Sequence, residues 1–70
     1  MNISTTNDFG KAIKSRRKEL GYTQSYISDV TGFSASFISD LENGKPTIEL
    51  GRALHLAQML GLDLSMSERD

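Results

Sequence analysis

The sequence predicts an all-α fold of four helices in a single compact domain, residues 1–70. Four stretches carry apolar residues at helical spacing, and each of them is followed by a glycine, in turn Gly21, Gly32, Gly44 and Gly61. Glycine at such a position can take the positive φ that closes a helix. The chain from Gln24 to Gly44 also reads as two short helices folded about a glycine turn. Both observations favour an α-helical domain.

Composition excludes several classes of protein. The chain has no cysteine, so it has neither a disulfide framework nor a thiolate metal site, and His55 alone cannot build an imidazole site. We therefore expect no metal and no cofactor. Nothing that could form a catalytic pair accompanies His55, which predicts no enzyme activity, no catalytic residue and no small-molecule substrate. No apolar run approaches the roughly 20 residues of a membrane span, so we expect a cytoplasmic protein without membrane contact.

The first helix presents a charge to the core. Its apolar stripe comprises Phe9, Ala12, Ile13 and Leu20. Arg17 follows Ile13 by four residues and therefore lies on this stripe, and Glu42 follows Ile38 by four on the third helix. We predict a buried structural ion pair between Arg17 and Glu42; the alternative is an Arg17 that extends to solvent beside a surface Glu42.

The same helix holds most of the positive charge. Five of the eight basic residues lie between positions 11 and 18, namely Lys11, Lys14, Arg16, Arg17 and Lys18. A net charge of −1 argues weakly against nucleic-acid binding, but this clustering polarises the molecule. The run is also compatible with a solvated basic face.

Short side-chain oxygens stand where N-caps are needed, and we assign Asn7, Thr23, Ser34 and Thr47 to the four helices in order. Between Gln24 and Gly44, apolar residues occupy the positions where two helices lean together, namely Ile27, Phe33, Ile38 and Leu41. Ser28 supplies the small residue of the crossing and Gly32 the turn. Residues 24–44 are thus predicted to form a helix-turn-helix, a motif that offers its second helix to the major groove of DNA.

The fourth helix is apolar around more of its surface than one core requires. Its first stripe comprises Leu50, Ala53, Leu54, Ala57 and Leu60, and its second comprises Leu56 and Met59. Beyond Gly61, apolar and polar residues alternate through Met66, which predicts a short β-strand. A lone strand is unstable, so we expect it to pair with its own copy across a two-fold axis. The homodimer would be built by residues of about 47–67, with Leu56, Met59, Leu62, Leu64 and Met66 at the interface; the alternative is a frayed tail.

Residues 9–60 resemble the lambda-repressor and Cro (XRE-like) group of regulators, with Tyr22-Thr23-Gln24 opening the second helix and Leu41-Glu42-Asn43-Gly44 closing the third. The resemblance implies a lambda-repressor-like DNA-binding domain and a double-stranded DNA operator as partner. It also implies phosphate contacts by Gln24, Asn43, Lys45 and, from the first helix, Lys14. Members of this group often pair an arginine of the first helix with the glutamate of this motif, in agreement with the pair predicted above.

The start of the third helix would read bases, through Ser34, Ala35, Ser36, Ser39 and Asp40. This departs from the group, whose strong readers are Gln, Asn, Arg or Lys with bidentate contacts. We expect water-mediated contacts and operator deformability to supply part of the specificity. The alternative is that the small residues only cap the helix and cover its surface.

The residues at the end of the chain distinguish three candidate functions. Residues 61–67 resemble the C-terminal strand of HipB-type antitoxins, which repress their own operon and bind and neutralise a HipA-like Ser/Thr kinase toxin. Only Glu68, Arg69 and Asp70 follow, whereas such antitoxins can continue into a longer toxin-binding tail. The alternatives are a stand-alone phage-type or restriction-control repressor, and an interaction module without DNA binding, which acidic Asp40 would suit.

Overall fold

A computed structural model describes residues 2–69 and contains four α-helices in this range. They are α1 (Thr6–Glu19), α2 (Gln24–Thr31), α3 (Ala35–Glu42) and α4 (Leu50–Met59). The predicted all-α, four-helix fold is therefore confirmed. Within the described range, every helix is too short or too polar to cross a membrane.

Glycine ends the predicted helical stretches in the way the sequence indicated. Gly21, Gly32, Gly44 and Gly61 have φ of 79°, 81°, 78° and 77°, the left-handed region in which a side chain is costly. The N–H of Gly32 donates to the carbonyl of Ser28 at 3.0 Å, which satisfies an orphan acceptor at the end of α2. The positions of these glycines alone therefore indicate where the four helices end.

Two of the four predicted N-caps are confirmed. Thr23 and Ser34 accept hydrogen bonds at 3.0 Å from the backbone N–H groups three residues later. Asn7 is not the cap of α1, because the helix begins earlier and Thr5 accepts from Asp8 N at 3.0 Å. Thr47 is not the cap of α4 either.

The cap of α4 is Glu49, a residue that sequence reasoning passed over. Its carboxylate accepts from Gly51 N at 3.1 Å and from Arg52 N at 2.6 Å. One carboxylate therefore satisfies two orphan donors and places negative charge at the positive end of the helix. These two bonds explain why α4 starts two residues later than predicted.

A single core joins the four helices. Its fully buried members are Ile13, Ile27, Ile38, Leu41, Ala53, Leu56, Ala57 and Leu60, with Phe9, Phe33, Phe37, Ile48 and Leu62 packed around them. Helix α1 lies against the end of α3 at Gly10, where an added Cβ would stand 2.7 Å from the carbonyl oxygen of Glu42. This close approach brings Arg17, two turns further along α1, to the end of α3.

The core corrects the assignment of the fourth helix. Leu56, predicted at the dimer interface, is 0% exposed and belongs to the core of the chain itself. Ala53, Leu56, Ala57 and Leu60 share the inward face at intervals of three and four, whereas Leu50 at the start of α4 is exposed. The second stripe of α4 therefore reduces to Met59, which is about half exposed.

The segment after α4 is anchored at its start. Leu62 N donates to Ala57 O at 2.9 Å, and the Nε of Arg16 donates to Leu60 O at 2.9 Å. Leu62 packs against the core, Leu64 is about half exposed, and Met66 is 100% exposed. Residues 62–69 have no regular secondary structure in the single chain. Strand pairing between two copies stays a prediction.

Candidate nucleic-acid interface

The turn between α2 and α3 is held by side-chain hydrogen bonds on both sides of Gly32. Ser28 Oγ donates to Phe33 O at 2.7 Å, so this small residue of the helix crossing also ties the turn. Thr31 Oγ1 donates to Ile27 O at 2.6 Å and accepts from Phe33 N at 3.2 Å. These bonds fix the direction in which α3 leaves the turn.

A buried ion pair joins α1 to the end of α3. The Nε and Nη2 of Arg17 donate to the two carboxylate oxygens of Glu42 at 2.7 and 2.9 Å, while Arg17 Nη1 donates to Tyr22 O at 2.8 Å. Arg17 is 8% exposed and Glu42 is 5% exposed. The structure therefore brings together the two charges that helical spacing had paired, in a bidentate geometry.

Both members of the pair stay charged. Burial alone raises the pKa of Glu42, but hydrogen bonds from Arg17 and Gln24 outweigh it, and the pKa lies below its ordinary value. The hydrogen bond to Glu42 raises the pKa of Arg17 further, against the effect of burial. Lys14 precedes Arg17 by three residues and so lies on the same side of α1, and its positive charge also lowers the pKa of Glu42.

Gln24 stands at the first position of α2 and reaches this ion pair. Its Nε2 donates to Glu42 Oε1 at 3.0 Å, and the residue is only partly exposed. Gln24, one of the predicted phosphate contacts, is thus held by a buried carboxylate. Sequence reasoning did not foresee the bond between Gln24 and Glu42.

The predicted base-reading residues lie along one side of α3. Ala35 and Ser36 are exposed, and Ser39 and Asp40 continue the same side one turn later. Ser34 Oγ caps the helix through Phe37 N, so this oxygen has a structural task as well. The inward side of α3 is taken by core residues, which leaves this small, serine-rich face to solvent.

The acidic residue on this face has a basic neighbour. Lys45 Nζ lies 3.4 Å from Asp40 Oδ2, and both side chains are about half exposed. Asn43 Nδ2 donates to Ser39 Oγ at 3.4 Å. Asn43 and Lys45 therefore stand beside the end of the α3 face, on either side of Gly44.

The loop that carries these two residues is fastened to α1. Thr6 Oγ1 donates to Gly44 O at 2.8 Å, and a Cβ at Gly44 would stand 2.7 Å from the Cα of Asn7. Asn7 is followed on the same side of α1 by Lys11, Lys14 and Lys18, at intervals of four, three and four, all exposed. Lys11 and Lys18 therefore extend the basic face on which Lys14 lies. The spacing of these lysines in the sequence could have predicted this face.

His55, the one histidine of the chain, is an exposed residue of α4 with an aromatic neighbour. The ring of His55 packs edge-on against Phe33, with centroids 5.9 Å apart. Within residues 2–69, no three His, Asp or Glu side chains are grouped so as to hold a metal ion.

Comparisons with known proteins agree with this geometry. The helix-turn-helix family model HTH_3 matches residues 13–66. The uncharacterized HTH-type transcriptional regulator y4mF of Sinorhizobium fredii (strain NBRC 101917 / NGR234) is 38% identical over 64 residues, which cover 91% of this chain and 84% of that protein.

The similar solved structures include HipB complexes. The HipB–O4 20mer complex matches with a TM-score of 0.86 and 24% identity over 100% of this chain and 99% of that one. A HipB–O1–O2 complex has a TM-score of 0.86 and 25% identity, with 97% and 99% of the two chains covered. A HipA–HipB–O2–O3 complex has a TM-score of 0.86 and 24% identity, with 100% and 99% covered. The chain thus shares its fold with HipB over nearly all of both chains.

Proposed function

The chain belongs to the helix-turn-helix family of DNA-binding transcription regulators, and we propose that it is a sequence-specific repressor that acts as the autoregulatory antitoxin of a toxin-antitoxin operon. The observation that carries this proposal is the likeness to HipB along the whole chain. In this role the protein binds its own operator and also binds and neutralises a HipA-like Ser/Thr kinase toxin.

On the operator, the exposed side of α3 enters the major groove. Ser34, Ala35, Ser36, Ser39 and Asp40 face the base edges, while Gln24, Asn43, Lys45 and Lys14 contact phosphates. Small hydroxyl side chains make few bidentate contacts, so bridging water and the bendability of the DNA contribute to the choice of site. The basic side of α1 lies next to Glu42 and Gln24, which supports a backbone contact there.

The repressor acts as a homodimer through its C-terminal segment. Met59, Leu64 and Met66 expose apolar side chains at the end of α4 and in the segment that follows it, and Leu62 anchors this segment to the core. Two segments that pair across a two-fold axis would satisfy each other's backbone groups and cover these side chains. Such a dimer reads half-sites about one helical turn apart, roughly 34–36 Å between the two α3 helices.

The proposed DNA binding is tested with a labelled DNA fragment taken from directly upstream of the coding sequence. We expect a mobility shift that weakens steeply as salt rises, because every neutralised phosphate releases counterions. A folded protein that shifts neither this fragment nor random duplex DNA at low salt would leave the interaction module as the remaining function.

The proposed toxin binding is tested by co-expression of the chain with the product of the adjacent reading frame. Retention of a kinase-like protein on the tagged chain, with loss of its kinase activity, supports the antitoxin role. The second candidate is a stand-alone repressor, favoured by the relative y4mF, whose name gives only a transcriptional regulator. Operator binding without any retained kinase-like partner would favour that candidate.

A further inference from the structure

We propose that Glu42 is a positioning residue for DNA binding: it fixes the side-chain amide of Gln24 so that an N–H group remains to meet a phosphate. This inference rests on the proposed DNA-binding function and adds a role to the buried ion pair, which would otherwise be purely structural. It concerns three side chains, those of Arg17, Glu42 and Gln24, which we call the amide anchor.

The orientation of the Gln24 amide follows from hydrogen-bond chemistry. An ionised carboxylate only accepts, so the atom of Gln24 that lies 3.0 Å from Glu42 Oε1 must be the amide nitrogen. That nitrogen has two N–H groups, and one of them is engaged by Glu42. Within residues 2–69 the Gln24 amide has no other side-chain or backbone partner. Its second N–H can therefore donate outward from the same fixed nitrogen.

Whether the amide nitrogen or the amide oxygen of Gln24 faces the DNA decides whether the contact is attractive or repulsive. Phosphate oxygens only accept hydrogen bonds, so an amide nitrogen attracts them and an amide oxygen repels them. A glutamine side chain without a partner can turn either atom toward a phosphate and loses rotamer freedom when it binds. Glu42 removes the unfavourable arrangement before the DNA arrives, and preorganisation of this kind raises affinity.

Arg17 allows Glu42, a negatively charged residue, to hold the Gln24 amide next to DNA. Its two hydrogen bonds to Glu42 neutralise the carboxylate, so that Glu42 does not repel the phosphates. Arg17 also donates to the carbonyl of Tyr22, two residues before Gln24. The amide anchor thus holds both the backbone that enters α2 and the side chain at its first position.

Affinity measurements with a matched set of variants test the proposal. The probe is a labelled duplex of random sequence, about two helical turns long, at low salt, since a phosphate contact acts on any sequence. Gln24→Ala should weaken binding about tenfold for each protomer bound, the effect of losing one hydrogen bond to a charged group. Val30→Ala, at an exposed position of the same helix outside the predicted DNA and dimer contacts, is the control and should leave affinity unchanged.

The anchor is then removed without leaving a buried charge. Arg17→Met combined with Glu42→Leu replaces the pair by apolar residues and leaves net charge unchanged, so the variant should stay folded. We expect a loss of affinity of about threefold or more, and in this background Gln24→Ala should have a much smaller effect than in the wild type. Equal effects of Gln24→Ala in the two backgrounds would overturn the proposal, as would an unchanged affinity of the apolar-pair variant.

A second readout needs neither DNA nor a variant. In the wild-type protein near neutral pH, one side-chain N–H of Gln24 should exchange with solvent more slowly than the other, whereas both N–H groups of Gln58 should exchange rapidly. Two fast protons on Gln24 would refute the anchor even if the protein binds DNA. Failure of the folded protein to bind any duplex would refute the DNA-binding function and the phosphate role together, while slow exchange would still establish the bond to Glu42.

Discussion

Replacing Arg17 by alanine should cost about 3–5 kcal/mol of folding free energy, because it leaves the carboxylate of Glu42 buried without its ion-pair partner. Glu42 is 5% exposed and loses the two hydrogen bonds that hold its charge, at 2.7 and 2.9 Å. Tyr22 O loses its partner as well. At about 0.05–0.15 kcal/mol per residue, a domain of 70 residues has roughly 4–10 kcal/mol of stability. The change would therefore remove between about a third and all of the stability of the domain.

Arg16→Ala is the matched control, since it deletes the same side chain one position earlier on α1. Arg16 donates to Leu60 O and pairs with Glu19, but its side chain is about one third exposed, so the loss should be about 1 kcal/mol. Urea unfolding followed by circular dichroism at one pH compares the two variants. Equal losses would refute the reasoning.

A double replacement separates the ion pair from the volume of its side chains. Arg17→Met with Glu42→Leu removes both charges together, and such exchanges are often neutral or stabilising. We expect the double variant to be more stable than either single variant. If the two single losses simply add in the double variant, the buried charge is not the cause.

The remaining predictions concern pH, packing, DNA contact and assembly. The pKa of Glu42 in the folded protein lies below its ordinary value of about 4.3, so the ionised carboxylate stabilises the fold fully at a pH above that value and loses this effect as the pH falls through the lower, folded pKa. The urea midpoint of Glu42→Gln should therefore depend less on pH in this acidic range than that of the wild type. Gly10→Ala should cost about 3 kcal/mol in urea unfolding, since its Cβ would meet backbone carbonyls of α3 that cannot move independently. Lys14→Gln should lower the slope of log affinity against log salt by about 1.8 per dimer, at about 0.9 per phosphate. Met66→Asp should convert dimer to monomer in analytical ultracentrifugation, because Met66 makes no packing contact within the chain.

Each of these has a control or a contradicting result. Gly21→Ala introduces strain at a positive φ but meets nothing within 4 Å, so it should cost less than Gly10→Ala; the reverse order would contradict the packing argument. Arg69→Gln removes a positive charge outside the predicted DNA contacts and should leave the salt slope unchanged. A dimer that survives Met66→Asp, or an acid dependence identical in Glu42→Gln and wild type, would contradict the corresponding mechanism.

Much of the fold follows from local chemistry that sequence reasoning can use. The positive φ of the four glycines, the caps at Thr23 and Ser34, and the turn at Gly32 all depend on residues within one helical turn. The α1 cap was placed two residues late because several oxygen-bearing residues precede that helix. The α4 cap was misplaced because Glu49 was not considered among the cap types.

Interfaces were harder to assign than elements. Leu56 was given to the dimer because α4 is apolar on two sides, and only the shared core of the folded chain decides which side faces inward. The amide anchor was missed for the same reason. Its members lie at 17, 24 and 42, and no periodic pattern relates a residue of α2 to one of α3.

By itself, the sequence determined where the helices lie, which motif they form, and that Arg17 and Glu42 face inward, because these depend on intervals of three and four residues and on the freedom of glycine. Only the tertiary structure decided that Gln24 shares the carboxylate of Glu42 and that Leu56 belongs to the core. The physical reason is that a hydrogen bond between helices depends on how they pack, to within a few tenths of an ångström, whereas periodicity specifies only the side of each helix.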